Sequence, residues 1–103
     1  MNAGLIEALE ALEKEKGISA EMLIESIELA MVSAYKKAKG FEGEIIARMD
    51  RETGDVHIYI VKTVVERLHN LETELSLEEA QEIDPRYEIG DRIQFEDTPR
   101  DFG

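Results

Sequence analysis

The 103 residues carry 24 acidic against 12 basic side chains, a formal net charge of −12. That surplus excludes general attraction to a nucleic-acid backbone, so any such affinity has to come from a local basic patch, and a basic protein surface is the better-matched partner. With no cysteine there are no disulfides or thiolate metal sites, and 43% hydrophobic residues suffice for one domain-sized core but not for two independent ones.

The opening MNAGLIEALEALEKEKG has no basic stretch leading into a continuous apolar run, and no run in the chain reaches membrane-spanning length. The expectation is a soluble, cytoplasmic, monomeric protein with no membrane contact. Residues 5–16 place Leu5, Ile6, Leu9 and Leu12 at helical spacing, with Glu7, Glu10, Glu13 and Lys14 between them, as on a surface helix. Gly17 fits the left-handed position that ends such a helix.

Ser19 then offers an N-cap oxygen to a second helix, with Glu21 in its first turn. Leu23, Ile27, Ala30, Ala34 and Ala38 share one face, and Met22, Ile24, Leu29, Met31, Val32 and Tyr35 widen the apolar surface beyond a single stripe. Lys36, Lys37 and Lys39 precede Gly40 at its end, where cations suit the helix dipole.

After Gly43 the apolar period shortens to two. Residues 45–49 and 56–61 read as strands, joined by a turn whose Gly54 supplies the positive φ of a short hairpin. Residues 71–75 alternate and read as a third strand. Ser76 and Glu79 form a capping box, with Leu75 and Ala80 at the staple positions of a short helix that Asp84-Pro85 ends. Residues 92–96 read as a last strand, with Ile93 and Phe95 on one face. Two helices packed with a small antiparallel sheet of about four strands and one short helix make the fold class α+β.

Residues suited to catalysis are sparse. His57 and His69 stand twelve positions apart without the spacing of a metal motif, and phosphate-binding and nucleophile-elbow patterns are missing. Carboxylate pairs such as Glu78-Glu79 occur throughout so acidic a chain and read as solvated faces. Asp101-Phe102-Gly103 matches a kinase metal-binding tripeptide without any other kinase element. The chain reads as a non-enzyme that uses no cofactor. Lys36, Lys37 and Lys39 form the one dense basic spot. They complement the helix dipole on one reading and contact RNA or an acidic partner patch on the other.

Two stretches are more specific. RETGDVHIYIVKTVVE (51–66) and LSLEEAQEIDPRYEIGDRIQFEDTPRDFG (75–103), with EALEKEKGIS and SAYKKA ahead of them, resemble the N-terminal domain of the bacterial transcription elongation and termination factor NusA. The resemblance runs in order over essentially all of residues 1–103. It implies a domain that docks on RNA polymerase beside the RNA exit channel, at the flap tip of the β subunit. There it favours pausing and termination and, with partner proteins, takes part in antitermination. In the family, S1 and KH modules follow and bind RNA, so the chain reads as an excised docking domain, with nascent RNA reached through the full-length factor. The segment 40–44 departs from the more polar connection expected there.

The expected docking mode is an amphipathic helix of the polymerase received by an apolar surface of the two N-terminal helices, carried by Leu5, Leu9, Leu12, Met22, Leu29 and Met31. The competing assignment of these residues is core. Two further readings are a direct RNA-binding domain built on Lys36, Lys37, Lys39, Arg48 and Arg51, and a small carboxylate hydrolase. The acid excess and the lack of an RNA-stacking aromatic pair count against the first. Titration of the carboxylates tests the second.

Overall fold

Gly17 and Gly40, at φ 71° and 64°, stop the first two helices in the left-handed conformation that costs a glycine least. In a computed structural model that describes residues 3–100, they bound α1 (Ala3–Lys16) and α2 (Ala20–Lys39). The α1–α2 corner is capped from both sides. Ser19 Oγ accepts the Met22 N–H at 3.3 Å, and the Glu13 carboxylate of α1 accepts the Ala20 N–H at 3.1 Å. At the far end of α2 the N–H groups of Gly40 and Phe41 both return to the Lys36 carbonyl.

The sheet is built on one long strand. β2 (Val56–Val65) pairs antiparallel with β1 (Ile45–Met49) along its first half and antiparallel with β4 (Arg92–Glu96) along Tyr59–Thr63. The N–H groups of Val61 and Thr63 reach Glu44 and Thr73, whereas that of Val64 reaches Asp91. Successive N–H groups of a strand face opposite edges, so β1 and β3 (Glu74–Ser76) lie end to end along one edge of β2 and β4 lies along the other.

One pairing departs from the antiparallel expectation: β3 runs parallel to β2, with Thr63 opposite Glu74. Parallel pairing normally needs a crossover of about a dozen residues or more. Here the loop 66–73 suffices, because the strand is three residues long and has only to return from Val65 to the level of Thr63. Residues 71–73, expected as strand, are turn. The Asn70 side chain accepts the Glu72 N–H (2.8 Å), its carbonyl accepts the Glu74 N–H (3.0 Å), and Glu74 in turn accepts the N–H groups of His69 and Asn70. This local network outcompetes the alternation of Leu71, Thr73 and Leu75. α3 (Leu77–Ile83) follows the expected capping box, Ser76 Oγ accepting the Glu79 N–H at 3.1 Å.

Two apolar clusters share β2. The larger joins Ile6 and Leu9 of α1, Ile24 and Tyr35 of α2, Phe41, and alternate residues of β1 and β2 including the fully buried Ile58. The smaller holds Val64, Leu75, Ala80 and Ile93 under α3. Phe41 packs edge-on against Tyr35, ring centroids 6.5 Å apart, and so anchors the unexpected 40–44 segment in the core. The Phe41 ring and the Thr73 methyl approach Gly43 so closely that a Cβ there would lie 2.6–2.7 Å from both. The tripeptide at 101–103 lies outside the described residues.

Candidate docking surface

The helical layer exposes apolar residues in pairs seven apart, two turns along one helix face. On α1 these are Leu5 and Leu12, 36% and 39% exposed. On α2 they are Met22 and Leu29, 68% and 69% exposed. Leu9 is different. At 6% exposure it belongs to the core, and Met31 packs against the same cluster, because α1 turns its Ile6–Leu9 side to α2 and α2 turns Ile24, Ile27 and Met31 inward. Of the six residues expected at the surface, four are therefore available to a partner and two serve the fold.

Two depressions flank α2. One lies between α1 and α2, with Ile6, Leu9 and Ile24 at its base and Glu10, Glu13 and Glu21 at its rim. The second, an open groove of about 380 Å³, runs between α2 and the outer edge of β1. It is lined by Leu29, Val32, Ile45, Ile46 and Ala47, with Glu25 and Glu28 beside them. Sequence reading missed this groove, since it needs the register of β1 against α2; the isoleucines at 45 and 46 were its only signal.

The hairpin turn that carries the Arg51-Glu52-Thr53-Gly54 signature fastens the sheet to α2. Asp50 accepts the N–H groups of Glu52 (2.8 Å) and Thr53 (3.2 Å), and those two donors hold its carboxyl below the ordinary aspartate range. Arg51 then reaches across to Glu21 and, at 3.4 Å, to Glu28 of α2. Glu28 also accepts the Met49 N–H at 2.8 Å, and Arg51 donates to the Met49 carbonyl at 2.6 Å. Arg48, grouped by charge with Arg51, instead stacks over the Tyr59 ring at 5.6 Å.

Lys36 is half-buried, Lys37 and Lys39 are exposed, and none of the three forms an ion pair among the described residues. Tyr35, one residue earlier, is buried and donates its hydroxyl to Asp97; burial first, then the Asp97 carboxylate, pushes its pKa up to about 12. His57 pairs with Glu96 at 2.7 Å on the exposed side of the sheet; the hydrogen bond raises the imidazole pKa and lowers that of the carboxyl. His69 lies in the loop 66–73, apart from His57. The carboxylates that move, Asp50, Glu74, Asp84 and Glu96, all move down, toward the charged form. A general acid at neutral pH needs the opposite shift. Among the described residues no group of three or more His, Asp or Glu side chains could hold a metal ion, and no helix is long and apolar enough to cross a membrane.

Comparison with known proteins agrees with this architecture. The profile of the NusA N-terminal domain family matches residues 4–103. The transcription termination/antitermination protein NusA of Bacillus subtilis (strain 168) is 45% identical over 103 residues, which is 100% of this chain and 28% of that protein. That of Thermus thermophilus is 31% identical over 99% of this chain and 29% of its own length. The solution structure of the N-terminal domain of NusA from B. subtilis superposes with a TM-score of 0.86 at 45% identity, covering 100% of this chain and 83% of that one. The chain thus spans about a quarter of the length of the full-length relatives it matches.

Proposed function

The chain belongs to the NusA N-terminal domain family, and from that premise we propose that residues 1–103 form a non-catalytic docking domain of a transcription termination and antitermination factor. It binds core RNA polymerase beside the RNA exit channel, at the flap tip of the β subunit, and favours pausing there. The role is cytoplasmic and is carried by a monomer.

The observation that carries the docking mode is the exposed apolar face of the helical layer. Leu5 and Leu12 on α1 and Met22 and Leu29 on α2 are exposed large apolar residues paired along the two helices of an acid-rich domain. Paired positions two turns apart suit the apolar stripe of a partner helix, and the acidic rim favours a helix with basic flanks. Lys37 and Lys39, exposed at the end of the same helix beside half-buried Lys36, supply the positive charge that a contact with nascent RNA or an acidic partner patch would use.

Gel filtration with core RNA polymerase tests the reading. The chain should co-elute at micromolar concentration, and a Met22→Glu/Leu29→Glu double variant, altered at exposed positions only, should stay folded and elute separately. Clean separation of the wild-type chain counts against autonomous docking; co-elution of the double variant counts against the helical face.

A further inference from the structure

β1 has a second edge that the sheet leaves open. Asp50 and Asp55, and Glu44 and Val61, are hydrogen-bonded pairs of the β1–β2 ladder, so Ile46 and Arg48 also face β2, while the N–H and C=O groups of Ile45, Ala47 and Met49 point away from it. Met49 is already satisfied: Glu28 takes its N–H and Arg51 its carbonyl. At the other end the strand itself begins at Ile45. Between these two limits lies a window of two residues, Ile45 and Ala47, whose four backbone groups face the groove lined by Leu29 and Val32. A sheet edge of this kind is a template for another strand.

We propose that this window accepts an extended, basic segment of a partner protein as an added strand, a contact that shares Leu29 with the helical docking face but is made by the backbone edge of β1. The chemistry of the occupant follows from the walls. Backbone groups of Ile45 and Ala47 require an extended chain with free amides. Leu29 and Val32 require an apolar side chain on the face turned to α2. Glu25, one helical turn before Leu29 and itself in the groove wall, supplies a carboxylate for a neighbouring cation, within a domain of net charge −12. The Glu28–Arg51 closure limits the pairing to a short segment and fixes where it stops.

Acetyl-Lys-Thr-Ile-Thr-Lys-amide is a suitable probe, because it places Lys, Ile and Lys on one face whichever way the strand runs. Titrated into the isotope-labelled chain, it should shift the amide signals of Ile45 and Ala47 and slow their hydrogen exchange, with a smaller change at Met49. Alternate amides of an added strand face β1, so N-methylation of the Ile and N-methylation of both Thr should differ: one pattern should weaken binding at least tenfold and the other leave it nearly unchanged. Leu29→Glu should weaken binding by a similar factor, and Glu25→Lys by roughly two- to fivefold, as for an exposed ion pair.

Equal binding of both N-methylated peptides would overturn the strand reading. Shifts confined to the α1–α2 cleft would place the peptide elsewhere. Concentration-dependent broadening of Ile45 and Ala47 without peptide would make the occupant a second copy of the chain. Tighter binding at the same amides by an amphipathic helical peptide would make it a helix.

Discussion

The two apolar clusters on β2 are built in different ways. The smaller one, Val64, Leu75, Ala80 and Ile93, gathers short elements from the last 40 residues, and each is set by a local device: a capping box, a proline stop, and a glycine turn at φ 95°. The larger one joins α1 and α2 to the first half of β2, from Ile6 to Ile58, with few local constraints beyond helix caps and the hairpin turn. Locally coded elements reach their place with little choice. The helical elements carry more apolar surface than they bury, and Leu5, Leu12, Met22 and Leu29 remain exposed after packing.

Core truncation gives the largest expected effect. Ile58→Ala, at the fully buried centre of the larger cluster, should cost about 2–5 kcal/mol and abolish polymerase binding by unfolding. Val64→Ala in the smaller cluster removes less volume and should cost about 2 kcal/mol. Chemical denaturation of both variants sharpens the comparison: equal losses would show that β2 couples the clusters into one cooperative unit irrespective of size.

Gly43→Ala comes next, because the Phe41 ring and the Thr73 methyl already fill the space its Cβ needs. A loss of about 1–3 kcal/mol is expected in the same denaturation measurement. Wild-type stability would mean that the Phe41 plug of the larger cluster yields easily.

Ser76→Ala removes the cap of α3 and should cost about 1 kcal/mol, felt first in the smaller cluster as faster amide exchange at Val64 and Leu75. Tyr35→Phe tests the larger cluster at a similar magnitude, about 1 kcal/mol, by deleting the hydroxyl that donates to Asp97. It also carries a pH signature. The Tyr35 pKa is raised from 10.0 to about 12, so the folded state keeps its proton where the unfolded state has lost it. That stabilisation is fully present below pH 10 and disappears between pH 10 and 12. Tyrosinate absorbance should show a delayed phase in the wild type, and Tyr35→Phe should lose it.

Charge replacement at the end of α2 gives the smallest effect on stability. Lys37→Gln with Lys39→Gln should change stability by less than about 1 kcal/mol, since both are exposed and contribute through the helix dipole. Reduced pausing by a full-length factor bearing both changes would assign them to RNA or polymerase. Unchanged pausing would leave the helix dipole as their sole role.

The sequence by itself determined the elements. Ser19, Gly17, Gly40, Gly54, the Ser76–Glu79 box and Asp84-Pro85 act within a few residues of themselves, and the structure places helix, turn or stop at each. The family resemblance, carried by 51–66 and 75–103, was legible for the same reason, since those stretches hold the turn chemistry of the hairpin and of α3. Tertiary structure alone decided the rest. Whether Leu9 or Leu12 is covered depends on how α1 rolls against α2, and helical periodicity is identical for both. Whether 71–73 is strand or turn depended on the Asn70–Glu74 network, which outweighed alternation there. The open edge of β1 exists because β3 pairs with the far half of β2 in parallel and, among the described residues, no strand lies beyond β1. Partner choice of this kind compares alternatives distant in sequence, and no local pattern carries the energy difference between them.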